Sequence, residues 1–334
     1  MKTLATQVQT ILTPRSRAVE KFLRGFLPTR EPQEVYGVIR EFVFRGGKRL
    51  RAALVMLGAE VVGGKPAMTI PVAAAIELFH AFTLIHDDIM DDSELRRGRP
   101  CAHITEGVPL AINAGDVLFL MAGQALDFLK VGTNEKLEAR MMLSTHFQKV
   151  FEGQAMELTW VRNERFDVSE KNYFVMVEKK TAVLIGAALE VGGFLGGGSK
   201  KILQTLYQFG RLTGIAFQIR DDILNLVGEE EKYQKEIGGD ITEGKRSLVV
   251  IHSLFHGSKR QQARLKKILL SHTRDKKLLC EAIGIVRATG SVAYAQRVVE
   301  RYTEDAFVEL QKLPRTKARE ELEILANFLL TREV

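Results

Sequence analysis

Two short acidic clusters in this sequence have the residue types and the spacing of a divalent-metal site. The first, DDIMDD, follows a long apolar run, and its Asp87 and Asp91 are four residues apart, which places them on one face of a helix. The second, in FQIRDDILNL, contains Asp221, Asp222 and Asn225, again at the end of an apolar segment. Carboxylates placed this way repel one another unless a cation neutralises them.

Magnesium is the cation that this all-oxygen donor set suits best. It takes one or two carboxylates per ion, keeps several waters and fills its other positions with substrate phosphates. The alternative for either cluster is a solvated helix end that carries acids by chance. Two such clusters on apolar helices, with Arg96 and Arg97 soon after the first, favour the metal site.

Basic side chains accompany both clusters in loops and near helix ends. Each of them alone fits an ordinary surface position. Combined with carboxylates and magnesium, however, arginine forks and lysine point charges indicate a site for diphosphates. These residues are Lys48 and Arg51 in RGGKRLR, Arg96 and Arg97 in RRG, Lys180 in EKKTA, and Lys235 and Lys245 in QKEIGGDITEGKRS.

The elements that must position these residues are predicted to be helices nearly throughout. The chain has 334 residues, of which 46% are hydrophobic and eight are prolines, and its apolar residues recur at spacings of three and four. Short breaks with Gly, Pro or Asn predict antiparallel neighbours in one domain over residues 1–334, with essentially no sheet. The predicted helices span roughly 16–26, 33–44, 48–62, 69–91, 108–130, 134–160, 169–195, 200–228, 246–255, 259–271, 275–288, 291–313 and 315–331.

Composition argues against several classes of protein. Cys101 and Cys280 lie far apart without metal-ligand spacing, which predicts a reduced setting and no disulfide. We see no signal peptide and no run of about 18 charge-free apolar residues, so we expect a cytoplasmic protein without stable membrane insertion. The charge of +7 comes without a basic and aromatic tract, which argues against nucleic acid. The most basic stretch, residues 258–277, is interpreted as a solvated helix face rather than a phosphate or membrane site.

The sequence resembles the trans-polyprenyl diphosphate synthases, the family of farnesyl and geranylgeranyl diphosphate synthases. The resemblance covers nearly the whole chain and is closest in motif type to archaeal geranylgeranyl diphosphate synthases. It implies a transferase in which an allylic diphosphate ionises with about three magnesium ions on its leaving group, before isopentenyl diphosphate attacks the carbocation. The motifs, in the family's order, are GGKRLR, HAFTLIHDDIMDD, RRGRP, AINAGD, EKKTA, FQIRDD and EGKRSL.

The resemblance also implies a role for each matching residue. The implied metal ligands are Asp87, Asp91, Asp221 and Asn225, with Asp88, Asp222 and Asp240 supporting them directly or through water. The implied isopentenyl diphosphate site is Lys48, Arg51, His80 and Arg97. The implied allylic site is Arg96, Lys180, Lys235 and Lys245, together with Thr181 and Gln218, whose oxygens match positions near the developing carbocation. Without the resemblance, Thr181 and Gln218 would be ordinary helix-interior and core-edge residues.

Three positions depart from the family pattern. Asn225 replaces the usual Asp, Glu157 stands where Asp is common, and Cys101 stands where Thr is frequent. Only the first touches catalysis directly, because Asn brings no charge and would bind the third metal more weakly.

Two other functions stay open on the sequence alone. A class I terpene cyclase has a second motif that Asp221, Asp222, Asn225 and Glu229 nearly match, but it needs no isopentenyl diphosphate site. A non-catalytic partner subunit of a heteromeric synthase would keep the fold without needing intact acidic clusters.

Product length is predicted from the residues just before the first acidic cluster. Phe82 and Thr83 lie five and four residues before Asp87, about 6 to 7.5 Å along a helix, and Phe79 lies about a turn lower. One aromatic beside a small residue resembles archaeal geranylgeranyl synthases, so we predict mainly geranylgeranyl diphosphate with some farnesyl diphosphate. The alternative is that Phe82 only packs in the core.

The architecture and assembly are also expectations from the resemblance. They are an isoprenoid-synthase bundle with a deep central cavity, two acidic helix ends facing each other at its mouth, and a homodimer formed through helices around residues 108–160.

Overall fold

A computed structural model describes residues 3–227 and 237–331. The described residues are helical nearly throughout, as predicted. The α-helices are α1 Leu4–Phe26, α2 Gln33–Phe44, α3 Leu50–Val61, α4 Ile70–Met90, α5 Ala102–Thr105, α6 Val108–Ala125, α7 Thr133–Arg162, α8 Glu170–Val177, α9 Val183–Leu195, α10 Lys200–Val227, α11 Gly239–Thr242, α12 Leu248–His256, α13 Lys259–Leu270, α14 Lys276–Ala288, α15 Ser291–Gln311 and α16 Lys317–Thr331. The other elements are 3-10 turns at Pro66–Thr69 and Leu126–Phe128, a π-helical turn at Glu178–Ala182, and the strands β1 Leu95–Arg96 and β2 Arg99–Pro100.

The chain forms two compact units, neither of which is one continuous segment. The first unit contains residues 1–147, 184–207 and 310–328, and the second contains residues 148–183, 208–309 and 329–334. The single domain over residues 1–334 stays a prediction.

Helix α4 is the central element of the first unit. It packs against α1, α3 and α6, and almost every residue from Pro71 to Phe82 is buried. A helix that is apolar on all sides is stable only inside a core. Its composition therefore explains its position, and the acidic residues at its C-terminal end lie where this apolar run stops.

Helix α12 has the corresponding position in the second unit. It packs against α8, α13 and α14, and its residues Leu248–Ile251 are buried. The short helix α11, which contains Asp240 and shortly precedes Lys245, packs against α13 and α14.

Two helical stretches of the described residues are long and apolar enough to cross a membrane when only length and composition are considered. They are Pro66–Met90 and Val108–Phe128, and α14 and α15 pass the same test only as a pair bent by 64°. In the first stretch, 72% of the most apolar window is buried inside the protein, whereas in the second only 39% is buried. Core packing thus accounts for most of the apolar surface of the first stretch, and the second presents an exposed apolar face.

Three local features differ from the predicted elements. Helix α1 begins at Leu4 rather than near residue 16, because Pro14 is accommodated inside it while Val8 and Ile11 are buried. The segment predicted as one helix over 169–195 contains a π-helical turn. A two-residue antiparallel ladder joins β1 to β2, because Arg97 and Gly98 adopt positive φ angles of 53° and 72° that suit a tight hairpin.

Candidate active site

The first acidic motif lies at the C-terminal end of α4 in the first unit. Asp87 and Asp88 belong to the last turn, and the backbone N–H of Asp91 closes the helix by donating to the Asp87 carbonyl at 2.8 Å. The last turn of a helix carries partial negative charge, so carboxylates there are unfavourable unless a cation balances them. The predicted placement of Asp87 and Asp91 one turn apart is therefore present, in a position that favours cation binding.

Asp88 is the buried member of this motif, with only 1% of its surface exposed. The Nε atom of Arg96 donates to Asp88 Oδ1 at 2.8 Å, and a second guanidinium nitrogen contacts the same oxygen. Although burial opposes a charged guanidinium, the Asp88 carboxylate raises the pKa of Arg96. The other oxygen, Oδ2, is buried and makes no hydrogen bond. Asp88 thus anchors Arg96 and keeps one unsatisfied acceptor.

Cys101 lies close to Asp88 and is fully buried. Burial and the neighbouring carboxylate raise the pKa of the Cys101 thiol to about 12. The thiol therefore stays protonated and unreactive at neutral pH. That the departure at this position does not touch catalysis directly stays a prediction.

Three of the four residues predicted to bind isopentenyl diphosphate are neighbours in the first unit. Arg51 and His80 share a hydrogen bond of 3.1 Å between Nη1 and Nε2. Burial, followed by the positive charges of Arg51 and Arg97, lowers the pKa of His80 well below its usual value. A neutral His80 accepts from Arg51 at Nε2 and carries its proton on Nδ1. The cluster therefore contains two guanidinium groups and one imidazole that adds no charge.

The glycine pair before Lys48 shapes the loop around Arg97. Gly46 and Gly47 have φ angles of 112° and 123°, and the Arg97 guanidinium donates to the Gly46 carbonyl. A Cβ at Gly47 would lie 3.0 Å from that guanidinium, so glycine lets the loop backbone approach it. The ammonium group of Lys48 lies 4.4 Å from the centre of the Phe328 ring.

A buried ion pair that the sequence analysis missed holds this loop on α4. Arg49 and Glu77 are 5% and 6% exposed, and Arg49 Nη1 lies 3.4 Å from Glu77 Oε2. The other Glu77 oxygen accepts from the backbone N–H of Ala52 at 3.1 Å. Glu77 interrupts an otherwise apolar run in the sequence, which indicates a buried carboxylate that needs a partner. Its partner could not be inferred, because the pair joins residues 28 positions apart.

The second acidic motif is part of a hydrogen-bonded chain within the second unit. Asp222 accepts from the Tyr173 hydroxyl at 2.7 Å and from Gln218 Nε2 at 2.8 Å. The Thr181 hydroxyl donates to Gln218 Oε1 at 2.9 Å. The predicted residues Thr181, Gln218 and Asp222 are thus connected, and Tyr173 is a further member that the sequence analysis did not identify.

Burial dominates the acidity of Asp222. It raises the pKa of Asp222 to about 7, although the hydrogen bonds from Tyr173 and Gln218 act in the opposite direction. The nearby carboxylates of Asp221 and Glu157 raise it further. A cation near this motif would stabilise the charged form of Asp222. The crowding of carboxylates here therefore favours the binding of a metal ion.

Two lysines predicted for the allylic site lie near one half-buried glutamate, Glu157, in the second unit. Lys180 pairs with Glu157, and the pKa of Glu157 is lowered because the charges of Lys180 and Lys245 together outweigh the raising effect of burial. Lys180 belongs to the π-helical turn. A Cβ at Gly153 of α7 would lie 2.3 Å from the Lys180 backbone nitrogen, so only glycine permits this approach. Glu157 is therefore the carboxylate partner of a predicted substrate ligand.

Asn225 and Asp240 hold the loop after the second motif. Asn225 Oδ1 accepts from the Asp240 backbone N–H at 3.1 Å, and the Asn225 carbonyl accepts from Gly238 at 2.7 Å. The predicted metal role of Asn225 therefore depends on the remaining lone pair of its amide oxygen. Lys235 lies outside the described residues.

The donor atoms fit a hard divalent cation that shares its ligands with substrate. Within residues 3–227 and 237–331, no group of three or more His, Cys, Asp or Glu side chains is arranged to hold a metal by itself. Both motifs offer carboxylate oxygens, and one buried oxygen of Asp88 lacks a partner. This is the pattern of magnesium sites that use one or two carboxylates plus water and phosphate oxygens.

The helical fold and these two motifs define an enzyme of the isoprenoid synthase class. The Polyprenyl synthetase family pattern matches residues 32–286. The chain is also 41% identical over 328 residues to the short chain isoprenyl diphosphate synthase of Methanothermobacter thermautotrophicus, covering 98% of this chain and 99% of that protein. The chain belongs to the polyprenyl synthetase family, and it is a prenyltransferase of isoprenoid biosynthesis.

Solved structures confirm the all-α isoprenoid synthase fold. The geranylgeranyl pyrophosphate synthetase of Pyrococcus horikoshii superimposes with a TM-score of 0.91 at 34% identity, covering 98% of both chains. A polyprenyl synthase of Caulobacter crescentus, complexed with calcium and isoprenyl diphosphate, gives a TM-score of 0.90 at 25% identity and covers 99% of this chain and 98% of that one. The family depends on divalent metal.

Replacing Tyr173 with Phe tests whether the buried hydroxyl positions the second motif. Removing one of the two side-chain donors to Asp222 is expected to lower kcat by roughly tenfold and to raise the magnesium concentration for half-maximal activity, because a hydrogen bond to a carboxylate is lost. Steady-state kinetics at varied magnesium, with circular dichroism to verify helix content, provides the measurement. Tyr302→Phe in the same unit is the matched control. Equal metal requirements and kcat values in the two variants would exclude the positioning role.

Proposed function

We propose that this protein joins isopentenyl diphosphate to allylic diphosphates and releases mainly geranylgeranyl diphosphate, with farnesyl diphosphate as a lesser product. It acts as a cytoplasmic homodimer that uses Mg²⁺, with about three ions per active site, the number that the resemblance to the family implies.

The observation that carries this proposal is the basic cluster of Arg51, His80 and Arg97. Two guanidinium groups beside a neutral imidazole form a diphosphate site that uses no carboxylate of either acidic motif. A condensation needs such a second site, because it binds two diphosphates at once. A terpene cyclase ionises a single substrate and has no use for it.

The allylic diphosphate is assigned to the second set of cations. Lys180 and Lys245 lie around Glu157, and a diphosphate that binds here would take over the neutralising role of that carboxylate. Arg96, paired with Asp88, is also assigned to the allylic diphosphate, because it matches the family position. The two neighbouring arginines Arg96 and Arg97 thus have different partners, which supports their assignment to different substrates.

The chemistry requires charge stabilisation where the allylic carbon–oxygen bond breaks. The electron pair of that bond leaves with the diphosphate, and Lys180 and Lys245 stabilise the charge as it develops. The double bond of isopentenyl diphosphate then forms the new carbon–carbon bond, and the released diphosphate takes the proton that the condensed cation loses. Oxygens of Thr181 and Gln218, held by their mutual hydrogen bond, are dipoles suited to stabilising the cation.

Asp87, Asp91 and Asp221 are the residues proposed to hold the magnesium ions. When bound, the metal supplies Lewis-acid stabilisation of the leaving diphosphate. The proposed supporting residues act on these ligands directly or through water. They are Asp88, Asp222, Asn225 and Asp240.

Substitutions in the two basic sites are expected to separate the two substrates. Arg97→Gln should raise the apparent KM for isopentenyl diphosphate by about tenfold or more with a much smaller change for the allylic substrate, whereas Lys180→Gln should do the reverse. Initial rates with each substrate varied in turn give both constants. Parallel increases for both substrates in both variants would show that the assignment of the two sites is wrong.

Product length is proposed to depend on an aromatic cluster below the first motif. Phe82 is 6% exposed, and its ring lies 5.4 Å from Phe119 and 5.6 Å from Phe79 between centroids. Phe79 in turn stacks on Phe147 at 3.7 Å. Thr83 donates to the His80 carbonyl and adds little bulk. These contacts support a floor for the product cavity in which Phe82 lies nearest the first motif. Phe79 and Phe147 lie behind it.

Phe82→Ala is expected to shift the products towards chains longer than C20, because removing the ring opens space beside the growing chain. Chromatography of dephosphorylated products provides the readout. Phe209→Ala, which removes a buried ring of the second unit, is the control for general loss of stability. An active Phe82→Ala enzyme with an unchanged product distribution would leave Phe82 as a core residue only.

The homodimer is proposed to form through the exposed apolar side chains of α6 and of the first half of α7. On α6, Phe119 and Leu120 are 43% and 62% exposed, and on α7, Leu137 and Met141 are 54% and 61% exposed. Single exposed apolar residues are common, but a run of large ones along two helices is typical of a protein interface.

Charge placed on these helices is expected to weaken the dimer. Leu120→Lys combined with Met141→Lys should shift the molecular mass measured by light scattering from two chains towards one, because each interface would bury unpaired lysines. Val308→Lys, which also changes an exposed apolar residue, is the control. A mass of one chain for the unmodified protein, or an undisturbed dimer in the double variant, would contradict the proposal.

A further inference from the structure

The positive charge of this protein is concentrated in one short segment. Residues 259–277 contain eight Lys or Arg and one Asp, which leaves seven positive charges, equal to the formal net charge of +7 for the whole chain. The other 315 residues are therefore neutral overall. The basic segment comprises α13, the turn that follows it and the start of α14, all within the second unit.

Most of these charged side chains are exposed. Arg264 pairs with Glu281 at 2.5 Å, and Lys266 lies over the Phe166 ring. The remaining basic residues are exposed: Lys259, Arg260, Lys267, Arg274, Lys276 and Lys277. Such a concentration is costly through self-repulsion and is not required by the packing of α13, whose buried face consists of Leu265, Ile268 and Leu269.

Apolar side chains accompany the exposed cations. Lys259, Ala263, Lys267 and Leu270 follow one another at spacings of four, four and three, so they share one face of α13. Leu270 is 40% exposed at the end of this helix, and Phe255 is 57% exposed shortly before its start. A short helix with basic and large apolar groups on its outer face is typical of binding at a membrane surface.

We propose that the basic segment docks the enzyme on anionic lipid surfaces. The cations attract lipid phosphates, and Leu270 enters the boundary between headgroups and acyl chains. Residues 259–277 contain no Phe, Tyr or Trp for stacking on bases, so the composition favours a lipid surface over single-stranded nucleic acid. The docking replaces the interpretation of this stretch as only a solvated helix face. It is peripheral, which is compatible with the expected absence of stable insertion.

The chemistry of the proposed product supplies a reason for such docking. A long isoprenoid tail on a diphosphate is an amphiphile, and it partitions into lipid by its hydrocarbon. The reaction that consumes it must transfer this tail at or near a bilayer. This reason depends on the proposed function, but the charge distribution does not.

Two pairs of lysines offer a matched test with the full-length protein. Lys276 and Lys277 begin α14, whereas Lys200 and Lys201 begin α10 and are also exposed. Changing either pair to Glu lowers the net charge by four units, because two positive charges are removed and two negative ones are added. Both pairs occupy the first two positions of a helix, where an acidic residue is favourable. Binding is measured by sedimentation with phosphatidylcholine vesicles that either contain or lack phosphatidylglycerol, at low and high salt.

The unmodified protein is expected to bind the anionic vesicles at low salt and to be released by high salt. Lys276→Glu with Lys277→Glu should lower the partition coefficient by about tenfold or more, and Lys200→Glu with Lys201→Glu should lower it by less than about threefold. Both variants should retain prenyl transfer with soluble substrates, which verifies folding. The vesicle assay contains no substrate, so its outcome is independent of whether the proposed product is correct.

Three results would overturn the proposal. Equal losses in the two variants would show that only net charge matters, and equal binding to neutral vesicles would remove the role of the cations. Tighter binding to duplex RNA than to anionic vesicles, lost in the Lys276 and Lys277 variant, would assign the segment to nucleic acid instead.

Discussion

The site depends on neutralising charged side chains inside helices that are otherwise apolar. An isolated ion is costly to bury, so each buried charge needs a partner of opposite sign or a hydrogen-bonded network. Arg49 with Glu77 holds the glycine loop on α4, and Lys180 with Glu157 holds the π-helical turn beside α7. The first of these pairs is structural and permanent. The second involves a predicted substrate ligand, so a bound diphosphate would compete with the Glu157 carboxylate for Lys180.

The same constraint separates the two kinds of diphosphate site. The cluster of Arg51, His80 and Arg97 is purely basic, because burial and the guanidinium groups keep His80 neutral. It can bind an anion without metal. The acidic motifs have an excess of negative charge. The raised pKa of Asp222 and the position of Asp87 at a helix C-terminus indicate this excess. Those carboxylates need cations, and a substrate that brings phosphate oxygens supplies the remaining ligands. Charge balance alone thus favours metal ions for the diphosphate that binds at the acidic motifs, and arginine side chains for the diphosphate that binds at the basic cluster.

Much of the fold and part of the site could be predicted from the sequence because the relevant signals are local. Apolar periodicity predicted the helices, and the spacing of Asp87 and Asp91 predicted their shared face. Features that depend on distant residues could not be predicted. The first helix was predicted to begin near residue 16, yet it begins at Leu4, because Pro14 is accommodated inside it while Val8 and Ile11 are buried. Tyr173 and Asp222 are 49 residues apart, so their hydrogen bond leaves no local signal. The tight approach of Gly153 to the π-helical turn is equally non-local.

The central claim is that the carboxylates of the acidic motifs bind metal together with the allylic diphosphate rather than alone. Titration calorimetry of magnesium into the protein, with and without a non-ionisable allylic thiodiphosphate, tests it most directly. The account predicts weak magnesium binding without the analogue, at least about tenfold tighter binding with it, and loss of this gain in Asp87→Ala and in Asp221→Ala. Magnesium affinity that does not change with the analogue, or a gain that survives both substitutions, would contradict the account.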